Sequence, residues 1–325
     1  MKTEPKNFCK APFRGLVVDN DGTLMPCCEF MTDKSDLPRY KIWEFEKYKA
    51  DTTLRQKMLD GEMDAGCSYC IERESNGINR RHYHSRLFKE KYESFKANTL
   101  DVGHLELRLG NFCNLKCTMC GPYASSQWSA EAKKNQEKFA PFNIGSLDMD
   151  YDWINDENNK TLMKEILQNC VSANFGGGEP FMNPFIDDFL KEIKPDAELS
   201  FNTNGTKLSD STLALLENRP NLKINISLDG IGEHNNYIRS GSTWQTIENN
   251  VKRLREKNIK IMFYYILQHT SLFTFKPVYE YCIKNDIELG IGEIYYGSVD
   301  GSGHLTLSSA DQNDVKHFKE WLSTV

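Results

Sequence analysis

The residues best suited to chemistry are cysteines. Ten of them stand in 325 residues, and eight fall into two groups: Cys9, Cys27, Cys28, Cys67 and Cys70, then Cys113, Cys117 and Cys120. Pairing Cys117 with Cys120, or Cys67 with Cys70, would close loops too short to stabilise the chain much. Close-spaced thiols in a reducing compartment are therefore expected to be metal ligands. The segment Cys113-Asn114-Leu115-Lys116-Cys117-Thr118-Met119-Cys120 puts three thiolates on one loop. At this cysteine content, chance would produce that triple spacing in roughly one chain in 100. Structural zinc closes a tetrahedron with four ligands. Three ligands with no fourth alongside suit an iron–sulfur cube that leaves one iron open; a zinc completed by a distant histidine is the alternative. Cys170 and Cys282 stand alone beside apolar stretches and are expected to be buried small side chains.

The elements that must position these groups change in texture near residue 100. Before it the chain is irregular. A hairpin is expected from Leu16-Val17-Val18 to Thr23-Leu24-Met25, turning at Asn20-Asp21-Gly22, with short helices around residues 42–50 and 53–59 and a connecting helix over 80–96. After it, strands are expected at 104–109, 171–175, 198–203, 222–228, 259–267 and 287–296. Helical patterns lie at 122–138, 184–193, 209–217, 243–257 and 275–285, and a last one at 309–322 is capped by Ser308 or Ser309. Six βα units predict a parallel sheet covered by helices, either open or a partial barrel, with the active site at the carboxyl ends of the strands.

The segments just past these strands hold residues that can do chemistry. The cysteine triple comes after the first. After the second stands Gly176-Gly177-Gly178-Glu179-Pro180, where glycine lets a backbone approach a ligand closely and Glu179 can accept from an ammonium. Asn202-Thr203-Asn204-Gly205 closes the third, either a polar turn near a cofactor or a plain Asn-Gly turn. Ser227 and Asp229 end the fourth; two apart on a strand, they face the same way and could hydrogen-bond a ribose. Arg239, in Tyr237-Ile238-Arg239-Ser240-Gly241, offers a fork for a carboxylate.

This order of motifs resembles the radical SAM superfamily over residues 101–325. The resemblance implies an α/β fold, a partial (βα)6 TIM-like barrel. Cys113, Cys117 and Cys120 would hold a 4Fe–4S cluster whose open iron binds S-adenosylmethionine. Gly176, Gly177, Gly178 and Glu179 would contact the methionine amino group, Asn202 would stand near the cofactor, Ser227 and Asp229 would take the ribose, and Arg239 the methionine carboxylate. Residues around Ile266-Leu267-Gln268 and Gly290-Ile291-Gly292 would line the adenine. Cys9, the Asp-Gly hairpin, Pro26-Cys27-Cys28, Trp43, Leu54-Arg55, Gly61 and Cys67-Ser68-Tyr69-Cys70 are similar to the SPASM and twitch modules that carry auxiliary clusters, although here the pattern precedes the barrel. It implies a small irregular amino-terminal iron–sulfur module over 1–80, joined by a connecting helix over 81–100 to the barrel at 101–325. Four thiolates complete the shell of a second 4Fe–4S cube. Those are Cys9, Cys67, Cys70 and one of the adjacent pair, with Cys27 matching the family's ligand after the hairpin. A zinc held by the same four is the alternative. One auxiliary cluster favours a twitch over the larger SPASM module.

Composition narrows the partners. Forty basic against 46 acidic side chains leave a net charge of −6, which argues against a nucleic-acid face. No apolar run reaches the ~20 residues of a membrane span, and the polar first residues lack a signal peptide's apolar heart, so a cytoplasmic protein without membrane contact is expected. The resemblance implies reductive cleavage of S-adenosylmethionine to a 5′-deoxyadenosyl radical, fed by a donor such as flavodoxin or ferredoxin. Hydrogen abstraction from a substrate carbon would come next, and the auxiliary cluster would move one electron. Oxidative modification of a peptide or protein is the first expectation, though no winged-helix-like leader-binding segment is apparent. Oxidation or rearrangement of a small metabolite (sugar, aminocyclitol or nucleotide) is the second, and a non-catalytic iron–sulfur electron carrier the third. His82, His84, His234 and His269 could touch substrate or simply be surface or core residues. The acidic stretch Asp148-Met149-Asp150-Tyr151-Asp152-Trp153 reads as a solvated loop or a lid. Phe263-Tyr264-Tyr265 should alternate between core and lumen.

Overall fold

The computed structural model describes residues 4–79, 81–139, 151–293 and 305–324. Residues 148–150, the last three residues of the strand expected to end at Tyr296, and the side chain of His82 lie outside the described residues.

Among the described residues ten strands form. They are β1 (Gly15–Val18), β2 (Leu24–Met25), β3 (His104–Arg108), β4 (Lys116–Cys117), β5 (Ser172–Gly176), β6 (Glu198–Thr203), β7 (Leu222–Ser227), β8 (Arg239–Ser240), β9 (Lys260–Leu267) and β10 (Glu288–Glu293). Eight make one open sheet in the order β10-β9-β7-β6-β5-β3-β1-β2, and β4 pairs with β8 apart from it. From β3 to β10 the large strands sit in sequence order, as successive βα units winding one way require. The result is an α/β fold, a partial TIM-like barrel that does not close.

By its internal contacts the chain divides into two compact units. The first comprises Met1–Gly110, Asp150–Phe175 and Lys191–Leu199. Its hairpin forms as expected, with Val17 opposite Met25 and Val18 opposite Leu24. β1 also lies parallel to β3, from Gly15 opposite His104 to Val18 opposite Leu107, so the hairpin extends the sheet. That could not be read from the local pattern, because parallel partners are far apart in sequence. The expected helices form at 42–50 (a 3₁₀ turn running into an α-helix) and Thr53–Asp60. The connecting helix expected over 81–100 does not. Only His82–Leu87 is α-helical, and a single 3₁₀ turn comes later at Tyr92–Ser94. The Lys10 ammonium takes the carbonyls of Phe88 and Glu90 at 2.7 and 3.0 Å, which a helix would need for itself. Buried Phe88 and Tyr92 then anchor an extended chain, and Tyr92 packs with Phe8, Phe13 and Met58. A helix not expected from the pattern runs over Glu157–Asn169, its first N–H groups capped by Asp156 and its buried side Met163, Ile166 and Leu167. Trp153 is buried and donates from Nε1 to Asn20 O at 3.0 Å, so that end of the acidic stretch is core.

The second unit comprises Asn111–Met149, Gly176–Leu190 and Ser200–Val325. β7 lies parallel to β9 and β9 to β10. Each strand alternates: Ile224, Ile226, Phe263 and Tyr265 are buried, while Asn225, Ser227 and Tyr264 stand on the other, half-exposed face. Helices Asp210–Leu216, Trp244–Glu256 and Phe275–Asn285 form where expected. The helix expected from Pro122 starts at Ser126, because Ser125 caps it, and breaks at Asn135 before a short turn at Gln136–Phe139. The last helix runs over Gln312–Leu322; its cap is Asp311, whose carboxylate accepts from the Asn313 and Asp314 N–H groups, in place of Ser308 or Ser309.

Candidate active site

The loop that carries Cys113, Cys117 and Cys120 is fastened before and after by short polar contacts. Ser126 N donates to Asn111 O at 2.7 Å, and the Ser126 hydroxyl bonds both the N–H and the carbonyl of Cys113 at 3.1 Å. Ser125 donates to Leu115 O at 2.6 Å, and Trp128 Nε1 to Cys117 O at 3.0 Å. In its middle, β4 pairs antiparallel with β8, Cys117 opposite Arg239 and Lys116 opposite Ser240. That small ladder holds the second cysteine against the arginine.

Each sulfur of this loop meets a donor. Cys113 Sγ accepts from Leu115 N at 3.5 Å and from Asn204 Nδ2 at 3.8 Å. Cys117 faces the Arg239 side chain, and Cys120 the N–H of Gly121. Burial beside Leu115 and Met119 pushes Cys113 up to about 11 and Cys120 to about 12, and raises Cys117 as well. Left alone, these thiols stay protonated; ligation to a metal removes the protons, and the surrounding N–H groups suit the thiolates that result. All ten cysteines are free of disulfides. Among the described residues no group of three or more His, Cys, Asp or Glu is gathered tightly enough for a single metal ion. Three buried thiols ringed by donors fit an iron–sulfur cube held by three corners.

The turn after β5 crosses the start of the cysteine loop. Glu179 N donates to Phe112 O at 2.8 Å. Gly178 has φ +49°, and a Cβ there would stand 2.5 Å from Phe112 O and 2.8 Å from Asn111 C. The close approach at this glycine is thus to the protein's own backbone, whereas Gly176 keeps open space, its nearest neighbour being Asn202 Nδ2 at 3.9 Å. The Glu179 carboxylate is buried and accepts from Thr203 Oγ1 (2.6 Å), Asn204 N (2.7 Å) and Phe181 N (3.2 Å). Burial still lifts it to about 7. A carboxylate has about four acceptor positions, so one stays open to an ammonium.

Past β7, Asp229 is fully buried and forms an ion pair with Arg239, Oδ2 to Nε at 2.7 Å. Its Oδ1 accepts from Ile266 N at 3.2 Å, and its own N–H donates to Asn235 Oδ1 at 3.1 Å. The arginine therefore links Asp229 to Cys117. The structure brings Cys113, Cys117, Cys120, Glu179, Asp229 and Arg239 together through these contacts. Asn202 stands apart on the exposed face, bonded to Asn225, and Ser227 is half-buried opposite Tyr264. Asn204, Asn114, Ser126 and Trp128 were not singled out from sequence. Asn204 lies inside a quoted motif, but nothing in the motif says which asparagine faces the sulfur.

The first unit holds the other thiols. Cys27 interacts electrostatically with Cys9 and Cys67, Cys67 with Cys9 and Cys70, and Cys70 with Cys9. Burial raises all four, Cys67 to about 12 and Cys70 to about 11. Cys28 turns away toward Glu106 and Arg108. Cys9, Cys27, Cys28 and Cys70 line a cavity of about 440 Å³ with His84, Arg81 and Arg86. Arg81, ion-paired with Glu74, stands beside these thiols much as Arg239 stands beside Cys117. Cys170 and Cys282 are buried, as expected.

A family model described as the radical SAM superfamily matches residues 107–282, more than half of the chain. The chain belongs to the radical SAM superfamily. Solved structures of similar fold include a tagged form of anSMEcpe with bound AdoMet, at TM-score 0.45 and 21% identity, covering 58% of this chain and 49% of that one. Streptococcus suis SuiB bound to precursor peptide SuiA scores 0.45 at 14% identity, covering 99% and 69%. The radical S-adenosylmethionine methyltransferase TsrM from Kitasatospora setae, with tryptophan substrate and aza-SAM bound, scores 0.38 at 15% identity, covering 66% and 38%. The chain thus spans about half the length of the first of these. No curated protein matches its sequence. No helix among the described residues is long and apolar enough to cross a membrane.

Proposed function

We propose that this radical SAM protein cleaves S-adenosylmethionine reductively and uses the 5′-deoxyadenosyl radical to take a hydrogen atom from a substrate carbon. The observation that carries the reading is the set of three buried thiols, each facing an N–H donor, clamped by β4–β8 beside Arg239. When bound, a 4Fe–4S cluster with one open iron supplies the electron that splits the sulfonium. The chain's residues do the rest. Cys113, Cys117 and Cys120 hold the cluster. Glu179 offers its remaining acceptor position to the methionine ammonium, and Gly176 leaves room for the ligand beside it. Arg239, already oriented by Asp229, presents the rest of its guanidinium to the methionine carboxylate. Ser227 stands at the carboxyl end of β7 for the ribose; Asp229 serves it by fixing the arginine.

Cys9, Cys27, Cys67 and Cys70 hold the auxiliary cluster in a twitch-like module, where four thiolates saturate it and leave it the role of moving one electron. A flavodoxin- or ferredoxin-type donor supplies the reductant. The reaction is an oxidative modification of a peptide or protein. Neutral hydrogen-bonding groups on the half-exposed sheet face, namely Asn202, Asn225, Ser227 and Tyr264, suit peptide amides. Anaerobic reconstitution tests the cluster count: about eight irons per chain are expected, and about four in Cys117→Ala. Stoichiometric zinc in place of iron would contradict the reading.

A further inference from the structure

Asn204 has its amide orientation fixed by its neighbours. Thr206 N can only donate, and it lies 2.9 Å from Asn204 Oδ1; the Thr206 hydroxyl donates to the same oxygen at 2.6 Å. The oxygen must therefore point to Thr206, and the NH₂ group to the cysteine loop. One of its hydrogens goes to Asn114 Oδ1 at 3.0 Å. Asn114 Nδ2 in turn donates to Thr206 Oγ1 at 3.0 Å, which closes a ring of three side chains. The backbone N–H of Asn204 is taken by Glu179. That leaves one N–H, and it faces Cys113 Sγ at 3.8 Å in a buried setting.

We propose that Asn204 is a positioning residue for the Cys113 thiolate and raises the reduction potential of the cluster held by Cys113, Cys117 and Cys120. The inference rests on the reading of those three cysteines as cluster ligands. A hydrogen bond to a ligating sulfur stabilises the reduced form, which carries one more negative charge, so donors raise the potential and their loss lowers it. Asn204 does this as a neutral dipole, whereas Arg239 beside Cys117 carries a full charge. The ring through Asn114 and Thr206 keeps that dipole from turning its oxygen to the sulfur, where it would act in the opposite sense.

The test is a redox titration of the reconstituted full chain, monitored by electron paramagnetic resonance with and without S-adenosylmethionine. The signal that S-adenosylmethionine perturbs belongs to the three-cysteine cluster. Asn204→Ala should move the midpoint of that signal to more negative potential and leave the auxiliary cluster's midpoint in place. Asn204→Asp, which loses the donor and adds a negative charge, should move it further. If neither variant assembles the cluster, Thr206→Val is titrated instead, since it removes one of the two groups that orient the amide; a shift in the same direction supports the inference. An assembled cluster with an unchanged midpoint overturns it, as does an equal shift of both clusters. If wild-type protein shows no signal that S-adenosylmethionine perturbs, the functional reading itself fails.

Discussion

Replacing Gly178 by Ala isolates the backbone crossing on which the cysteine loop rests. Two costs add at this position. Its φ of +49° is unfavourable for an L-residue by about 1–2 kcal/mol. The new methyl would also stand 2.5 Å from Phe112 O, so two backbone segments must separate, at a cost of about 1–3 kcal/mol. The Glu179 N to Phe112 O bond of 2.8 Å would stretch, losing about 1 kcal/mol more. A total of about 4 kcal/mol corresponds to a drop of roughly 10 °C in the melting temperature. Gly77→Ala is the matched control: φ is +79° but nothing lies within 4 Å of the added methyl, so only about 1–2 kcal/mol is expected. Thermal unfolding under anaerobic conditions reads both variants, and iron analysis reads the loop directly. Gly178→Ala should retain only the auxiliary irons, and Gly77→Ala should retain all. Equal melting shifts in the two variants, or full iron in Gly178→Ala, would refute the collision argument.

Asp229→Asn leaves the Arg239 charge buried without its partner and should cost about 3–5 kcal/mol in denaturant unfolding; a loss below about 1 kcal/mol would mean that the ion pair does not hold the arginine. Cys27→Ala should lose the auxiliary irons while Cys28→Ala keeps them, because Cys28 faces Glu106 and Arg108; iron counts in the opposite order would reverse the ligand assignment. Burial pushes His84 down to about 4 and His104 to about 3, where His104 Nδ1 lies 3.0 Å from the Ser172 hydroxyl. Both rings are favoured neutral in the folded state, so their contribution is complete above the ordinary histidine value near 6.5 and is lost as pH falls toward the folded values. At pH 5 His104 alone should cost about 2 kcal/mol relative to pH 8. A melting temperature that does not fall between pH 7 and pH 5, or falls equally in His104→Gln, would contradict that origin.

The parts of the fold that repeat a short rule were legible in the sequence. Alternation in Leu222–Ser227 and Lys260–Leu267 marks strands with one buried face, and Phe275–Asn285 forms with the boundaries its pattern suggests. Long-range pairings were not legible: β1 beside β3, and β4 beside β8, depend on partners 89 and 124 residues apart at Gly15–His104 and Lys116–Ser240. The residues after Leu87 look helical because they are charged, yet the Lys10 ammonium captures two of their carbonyls, and no local pattern announces a donor 78 residues upstream. At the site, the cysteine spacing named the ligands, since sulfur chemistry needs those residue types. It did not reveal that Asp229 is committed to Arg239, or which of Asn202 and Asn204 faces the thiol. Those outcomes depend on burial and on which group donates to which, and both arise only once the strands are side by side.

The most direct measurement of the central claim incubates reconstituted protein with S-adenosylmethionine and dithionite under strict anaerobiosis and quantifies 5′-deoxyadenosine by chromatography. The wild-type chain should release it in step with methionine, and Cys117→Ala should release none. Wild-type protein that takes up iron yet leaves S-adenosylmethionine intact, or a Cys117→Ala variant that still cleaves it, would contradict the assignment of Cys113, Cys117 and Cys120.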